Sequence, residues 1–509
     1  MDTLGAIFQE ACRVKVLADI GRMSLPSRVS IYADDVVAFI NPSNSEIHAA
    51  VRLLETFRDA TGLKTNWDKS AATPIRCEGI TIEAVMEGTQ CTTKPFPITY
   101  LGLPLSDVRL KRDDLQPILD SLAKRLRGWK AKLISLPGRI ELIRTTLSAM
   151  AIYRLMAIAP PAWFIKLVDR LRHGFLWAAD EATPAGRCLV SWRQVCRPRE
   201  LGGLGILDLQ KQGAALRAQW FWNKWTDGTS QWHDLIMPND PAAENVFWAA
   251  TEVIIGDGCK ANFWRSHWAH GCRPADRWPN LFRHCNGRRL TIRDAITNDR
   301  WLQYVKADPS GVVLQELCDL WEATRAITLT EGSTDQIRWR LTTSGQYTAA
   351  SAYRMQFQGS IPTNDNAIIW NAKAAPRAKA FAWILLRGKC LTADNLARRQ
   401  IPHDPLCPLC RSEPETAVHL ISSCHFSKSI WARTAPSLGQ PFSAIDMNSE
   451  HWRLPARPLQ TSDCSPVALL QTHMASYLPA GGLVPLEGEK RQDLRGQSLY
   501  RDTVSSQNR

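Results

Sequence analysis

The pattern of apolar and polar residues predicts a β-hairpin followed by two amphipathic helices. Two short apolar runs flank a turn at Ala33–Asp35 within Val29–Ile40, which is typical of two strands joined by a tight turn. Apolar residues then recur at helical spacing in Glu46–Ala60 and again in Arg109–Arg127. The first of these helices has Ser45 or Asn44 as its candidate N-cap, and Thr61-Gly62 is expected to end it.

Further along, Gly138–Ala157 also has helical periodicity. The stretch Leu147–Val168 is the most membrane-like of the chain, but Arg154 and the pair Pro160-Pro161 interrupt it. A membrane-spanning helix needs about 20 predominantly apolar residues with few or no charges. The pattern therefore predicts a buried helix that ends before the prolines, and no membrane partner.

The C-terminal part of the chain differs in composition from the rest. The sequence has 509 residues and 20 Trp, of which 18 lie between Trp129 and Trp431. After about Ala435 the periodicity fades and Pro, Ser, Gln and Gly become frequent, which is typical of disorder. We expect residues 436–509 to be a disordered tail.

The net charge indicates which class of partner the chain binds, and its cysteine content indicates the cellular compartment. Lys and Arg number 62 against 49 Asp and Glu, a net charge of +13, which favours polyanionic partners such as nucleic acid. The N-terminus does not resemble a signal peptide, so the 14 cysteines are expected to be reduced thiols or metal ligands. These features predict an intracellular chain, in the nucleus or the cytoplasm, and leave its oligomeric state open.

The predicted turn carries two adjacent carboxylates, Asp34 and Asp35, directly after Tyr32 and Ala33. Nucleotidyl transfer uses carboxylates that hold two divalent metal ions, and Mg²⁺ prefers such oxygen ligands. A plain β-turn is the alternative, because Asp is common in turns. The flanking strands favour a metal-binding hairpin.

A cluster of basic residues follows the second amphipathic helix. Ser121–Arg139 contains no acidic residue and six basic ones, with Trp129 among them. The basic residues are Lys124, Arg125, Arg127, Lys130, Lys132 and Arg139. Such a segment can bind phosphates independently of sequence, and the aromatic ring can stack on a base. A solvated helix face with Trp129 in the core is the alternative.

Four residues near the C-terminus have the spacing of a zinc site. Cys407 and Cys410 are separated by two residues, and His419 and Cys424 follow with spacings of eight and four. Three thiolates and one imidazole complete a tetrahedral Zn²⁺ shell. His425 is an alternative fourth ligand to Cys424, and His403 is a weaker one. Four unrelated buried residues are the remaining alternative.

These motifs occur in the order found in LINE-type (non-LTR) retrotransposon reverse transcriptases of plants, which the chain resembles over roughly 400 residues. Ile31–Phe39 resembles the Tyr-x-Asp-Asp active-site motif. The segments that follow it also match, namely Gly62–Asn66 with Lys69-Ser70, Pro97–Leu105, and Trp129-Lys130 with Ser135–Arg139. The surroundings of Cys407–Cys424 resemble the zinc-binding domain of these elements. Upstream, Phe263-Trp264 and Trp268 match the family's aromatic pattern, although Ser266 stands where the family usually has Asp.

The resemblance implies an α+β chain in five parts. These are a truncated reverse-transcriptase palm of a β-hairpin plus helices (1–108), a helical thumb-like region (109–180), a Trp-rich linker (181–340), a small zinc-binding domain (341–435) and the disordered tail (436–509). Tyr32, Asp34 and Asp35 would be catalytic residues with Mg²⁺. Lys64 and Lys69, together with the basic cluster, would bind RNA and DNA as template and primer.

The family's polymerase also needs a third carboxylate on an earlier palm strand, and only Asp2, Glu10 and Asp19 precede Tyr32. None of the three resembles that motif. We therefore expect a reverse-transcriptase fragment that binds nucleic acid and lacks polymerase activity on its own. A non-enzymatic, zinc-dependent RNA- or DNA-binding protein and a degraded element without selected function are the alternatives.

Overall fold

The computed structural model describes residues 2–20, 28–128, 133–178, 188–228, 237, 239–269, 271–360 and 369–434. The described chain mixes helices with short strands, as expected for the α+β class. Lys130, Lys132, the side chain of Arg127 and the expected tail lie outside the described residues.

Helices dominate the described residues. The α-helices are Asp2–Arg13, Asn44–Thr61, Ile82–Val85, Arg112–Gly128, Leu136–Leu142, Ser148–Ala157, Ala162–Ala178, Trp192–Val195, Leu209–Thr226, Pro241–Ala250, Pro274–Arg277, Pro279–His284, Ile292–Ile296, Gly311–Arg325, Ala349–Met355, Pro376–Leu385, Ala393–Ala397 and His425–Thr434. Ile143–Leu147 and His419–Ser423 are π-helical, and Arg199–Leu201 and Thr297–Tyr304 are 3₁₀-helical.

The strands form two-stranded sheets. Three pairs are antiparallel: Val29–Tyr32 with Asp35–Ala38, Ile98–Tyr100 with Leu103–Leu105, and Thr251–Ile254 with Gln336–Trp339. Ala71–Ala72 and Thr92–Thr93 form a parallel pair. The predicted hairpin is thus present, and within the described residues no further strand extends its sheet.

The helix after the hairpin begins close to its predicted start and ends where expected. It spans Asn44–Thr61, and its N-cap is Ser43, whose hydroxyl accepts a hydrogen bond from the Glu46 amide. Gly62 ends it in the left-handed conformation, with φ of 77°. The predicted cap, Ser45 or Asn44, was therefore wrong by one or two residues, because both lie inside the first turn.

The membrane-like stretch forms two separate helices. Ser148–Ala157 ends as Ile158 becomes extended, and Ala162–Ala178 begins directly after the proline pair. The helix expected from Gly138 begins earlier, at Leu136, with Pro137 in its first turn, and it passes through a π-helical turn. No helix among the described residues is long and apolar enough to span a membrane.

Contacts divide the chain into two compact units. One unit takes its described residues from 1–120 and 217–348, and the other from 121–216 and from 349 onward. In the first unit, the hairpin packs its inner side chains against two helices. Leu4 and Phe8 of Asp2–Arg13 and Phe57 of Asn44–Thr61 are buried there, with Ile31 of the hairpin packed against them.

Tryptophan builds a second core in the first unit. Trp264, Trp278 and Trp301 are buried together with Phe263 and Leu281. The rings of Phe263 and Trp264 meet edge to face with their centroids 5.2 Å apart, an arrangement that adds stability beyond area burial. The Trp-rich composition of this region is therefore explained by its core.

A buried carboxylate organises the loop beside that core. Both oxygens of Asp335 accept backbone hydrogen bonds, Oδ1 from Gly256 and Gly258 and Oδ2 from Lys260 and Ala261, at 2.7–2.9 Å. A Cβ on Gly256 would lie 2.1 Å from the carbonyl oxygen of Ser333. Only glycine therefore fits this turn around the carboxylate.

In the second unit, a buried arginine joins separate segments through its hydrogen bonds. Arg172 is 1% exposed and donates to Asp169 (2.8 Å), to the Ser148 hydroxyl (3.1 Å) and to the Leu207 carbonyl (2.7 Å). Its guanidinium also lies 5.0 Å from the centre of the Trp192 ring. These contacts offset the cost of burying the charge.

Candidate metal centre and nucleic-acid contacts

The two carboxylates of the hairpin project from its turn. Tyr32 pairs with Asp35 across the hairpin, and Ala33 adopts the left-handed conformation with φ of 51°. The side chain of Tyr32 is 64% exposed, and Asp34 and Asp35 are exposed as well. The hairpin thus presents both carboxylates to solvent.

The hairpin carboxylates do not form a complete metal site within the described residues. Cys407, Cys410, His419 and Cys424 are the only group of three or more potential metal-ligating side chains found there. Mg²⁺ keeps several waters but is usually anchored by carboxylates together with substrate phosphates. Asp34 and Asp35 are present in the predicted place, and the described chain supplies no third carboxylate beside them.

The predicted nucleic-acid contacts fall into two groups. Lys64, Lys69, Lys124 and Arg125 are exposed, so their charges are available to a polyanion. Arg139 is 7% exposed and donates to the carbonyls of Ile134 and Leu176. The guanidinium of Arg139 joins segments of the second unit and is not exposed to solvent, unlike the four residues above.

The basic residues around Pro376–Leu385 are also partly used inside the fold. Arg387 donates to the carbonyls of Trp383 and Gly202, and burial lowers its pKa to about 10. Lys379 donates to the carbonyl of Trp370. Both side chains hydrogen-bond backbone carbonyls within the fold. Counting basic residues in the sequence therefore does not show which of them are exposed to a polyanion.

The four predicted zinc ligands meet at one point. Cys407, Cys410, His419 and Cys424 each offer a ligand atom, and these atoms lie within 4.8 Å of one another. The Cys410 sulfur is 3.3 Å from Nε2 of His419. A tetrahedral Zn²⁺ with bonds of about 2.3 Å to sulfur and about 2.0–2.1 Å to nitrogen separates its ligand atoms by roughly 3.5–3.8 Å. The donor set and its spacing therefore fit Zn²⁺.

Local backbone structure brings these ligands together. Cys407 and Cys410 lie on one tight turn, which the Arg411 amide closes by donating to the Cys407 carbonyl at 2.8 Å. Of the other pair, His419 begins the π-helical turn His419–Ser423 and Cys424 follows it, and the Cys424 amide donates to the His419 carbonyl, also at 2.8 Å. This i→i+5 bond returns Cys424 to the side of His419, and π-helical turns are frequent at functional sites.

The thiols differ in their affinity for protons. Burial raises the pKa of Cys407 to about 11. A hydrogen bond from the Ser412 side chain lowers the pKa of Cys410 to about 5, to which its contact with His419 also contributes. Zinc is held by thiolates, so its binding near neutral pH must displace the proton of Cys407.

Neither alternative histidine joins the cluster. His425 is exposed at the start of the helix His425–Thr434, and the ring of His403 lies 2.8 Å from the carbonyl of Ile401. Cys424 is buried and takes the fourth position. The preference for Cys424 over both histidines agrees with this geometry.

Two polar residues acquire roles that the sequence did not assign. Glu415 is 2% exposed, and its Oε2 accepts from the Ala393 amide at 3.0 Å, which ties the zinc segment to Ala393–Ala397. The hydroxyl of Ser266, fully buried, accepts from the Asn262 amide at 2.9 Å. In the sequence, Glu415 is marked by its position between the ligand pairs, and Ser266 only by its departure from the Asp that is usual in the family it resembles.

Comparison with known proteins agrees with this site. Residues 347–431 match the family described as zinc-binding in reverse transcriptase, and the match includes all four ligands. An Arabidopsis thaliana protein named as a ribonuclease H protein is 26% identical over 375 residues, 66% of this chain and 58% of that protein. The 149 kDa protein of transposon TX1 of Xenopus laevis is 25% identical over 197 residues, 38% of this chain and 14% of that protein.

The chain spans less than two thirds of either relative. It carries a reverse-transcriptase zinc-binding domain toward its C-terminus, and its relatives are consistent with the reverse-transcriptase region of a LINE-type retrotransposon. The resemblance inferred from the ordered motifs is thereby confirmed.

Proposed function

We propose that this chain, whose residues 347–431 form a reverse-transcriptase zinc-binding domain, binds RNA and DNA as part of a retrotransposon reverse-transcription machinery. The observation that carries the proposal is the convergence of Cys407, Cys410, His419 and Cys424 inside the matched segment. Zinc holds the domain's fold together, and exposed basic side chains around it and on Arg112–Gly128 contact phosphates.

We assign the remaining parts by the motif order. Residues 1–108 are a partial palm, 109–180 a thumb-like region and 181–340 a linker. The template–primer contacts of this chain are four exposed residues. They are Lys64 and Lys69, which follow the helix after the hairpin, and Lys124 and Arg125. Ribonuclease H activity, named for the Arabidopsis relative, is not carried over, because the chain spans 58% of that protein.

The chain by itself does not polymerise DNA. Asp34 and Asp35 are exposed on a two-stranded hairpin, and no third carboxylate of the described chain lies with them. Two metal ions between an attacking and a leaving oxygen need a larger set of anchoring ligands. Primer extension by the purified chain with Mg²⁺ should therefore yield no templated product. Incorporation that Asp34→Ala abolishes would contradict this.

Binding is tested with the full chain and end-labelled RNA, read by fluorescence anisotropy. Cys407→Ser should weaken RNA binding at least tenfold, because the zinc domain loses its fold. Cys318→Ser, at an exposed cysteine outside the cluster, is the matched control and should bind like the unchanged chain. Equal affinity of the Cys407→Ser variant, with its zinc shown to be lost, would overturn a zinc-dependent role.

A further inference from the structure

Four arginines of the Trp-rich part of the chain lie on one surface of the first unit, although their positions extend from 265 to 289. They are Arg265, Arg273, Arg288 and Arg289. Burial lowers the pKa of Arg265, and the positive charges of the other three lower it further. Residues 260–306 contain ten Lys and Arg against three Asp, so local carboxylates cannot neutralise this surface.

Backbone hydrogen bonds bring these arginines together. The Ala275 amide donates to the Trp264 carbonyl at 3.0 Å, which holds the segment of Arg273 beside Arg265. On the other side, the Phe263 amide donates to the Leu290 carbonyl at 2.9 Å and thereby places Arg288 and Arg289 nearby. The surface is therefore built on the buried tryptophan core and needs no rearrangement to form.

The loop that carries Arg288 and Arg289 is fixed at its base. Gly287 is buried, and a Cβ at this position would lie 2.7 Å from Cγ of Tyr304. In addition, the Asn262 side-chain amide donates to the Arg288 carbonyl at 3.2 Å. Both arginine side chains that follow Gly287 are exposed on this fixed backbone.

Only half of the cluster is neutralised by the fold. Arg265 pairs with Glu244, and Arg273 pairs with Asp276 at 2.6 Å. The guanidinium of Arg288 lies 4.8 Å from the centre of the Phe282 ring, and within the described chain neither it nor Arg289 pairs with a carboxylate. Two exposed, positioned cations are thus left for an external anion.

We propose that Arg288 and Arg289 bind the phosphate backbone of a nucleic acid, beside Arg265 and Arg273, whose charges are paired within the fold. This proposal rests on the proposed function and adds to it a contact surface in the Trp-rich region, separate from the zinc domain. Arginine suits phosphate because its planar guanidinium donates two parallel hydrogen bonds. Backbone binding of this kind is independent of sequence and depends strongly on salt.

The test compares Arg288→Ala/Arg289→Ala with Arg170→Ala/Arg193→Ala in the full chain. Arg170 and Arg193 are exposed arginines of the second unit outside residues 347–431, so the control removes the same charge away from the zinc domain. Affinity for a single-stranded RNA and for a DNA duplex is measured between about 50 and 200 mM salt. Loss of two phosphate contacts should weaken binding about tenfold or more and reduce the salt slope by roughly 1.4–1.8. The control should keep the original slope.

The same series after zinc chelation separates this proposal from the zinc-dependent one. Replacing Arg288 and Arg289 should lower the RNA affinity of the zinc-free chain. This holds whether or not chelation alone changes the affinity. An unchanged salt slope in the double variant overturns the phosphate contact. A polyglutamate peptide that binds as tightly as RNA, with the same dependence on these arginines, would assign the surface to an acidic protein and overturn it too.

Discussion

The hairpin of Tyr32 and the cluster of Cys407 both place potential metal ligands on tight turns, but only one of them is a complete site. All four ligands of the cluster come from residues 407–424, and three of them are at least partly buried cysteines. The hairpin contributes two exposed carboxylates from adjacent positions. When all ligands of a site are close in sequence, folding of that one segment is enough to form the site. When the ligands come from strands distant in sequence, the site forms only if those strands are present and paired.

The largest effect is expected from breaking the complete site. Cys407→Ser removes one thiolate, and zinc binding in small domains is worth about 10–16 kcal/mol. We expect the unfolding transition of the zinc domain to disappear and the zinc content of the purified chain to fall well below one ion. Chemical denaturation with parallel elemental analysis measures both.

Cys318→Ser is the control for that experiment, because Cys318 is exposed and lies outside the cluster. Its free energy of unfolding should change by no more than about 0.5 kcal/mol. Full zinc retention by the Cys407→Ser variant would show that another residue holds the metal.

A smaller loss of stability is expected from replacing Glu415, the buried carboxylate between the two ligand pairs. Glu415→Ala leaves the Ala393 amide without its acceptor at 3.0 Å, which should lower the free energy of unfolding by about 1–3 kcal/mol. Glu413→Ala, at an exposed neighbouring carboxylate, is the matched control. Denaturation at a fixed zinc concentration compares the two, and equal stabilities would remove Glu415 from the support of the site.

The smallest effect is expected at the hairpin. Asp34→Ala removes an exposed side chain that completes no metal site in the described chain, so stability should change by less than about 0.5 kcal/mol. Addition of Mg²⁺ should not change the melting temperature of the unchanged chain or of the Asp34→Ala variant. Asp68→Ala, at another exposed aspartate, is the control. A Mg²⁺-dependent rise in melting temperature that only Asp34→Ala abolishes would make the hairpin a functional metal site.

Local features could be predicted from the sequence. The hairpin at Val29–Ala38 and the helix ending at Gly62 follow from spacing within one short segment. The zinc ligands follow for the same reason, because a two-residue spacing and one turn are enough to bring them together. Even the N-cap was misplaced only within the first turn, since several polar residues there compete for the position.

Contacts between distant segments could not be predicted. The four amides around Asp335 belong to residues more than 70 positions earlier. Likewise, Arg139 has the same charge as its exposed neighbours, and only packing against Leu176 reveals its burial. The arginine surface of Arg265 and Arg288 is missed for this reason as well. It exists only after the tryptophan core has formed.

Zinc K-edge X-ray absorption on the full chain measures the ligands of the cluster. We expect about one zinc per chain with three sulfur ligands at about 2.3 Å and one nitrogen at about 2.0–2.1 Å. These ligands are Cys407, Cys410, Cys424 and His419. A shell with two sulfurs or fewer, or a chain that retains no zinc, would contradict this expectation.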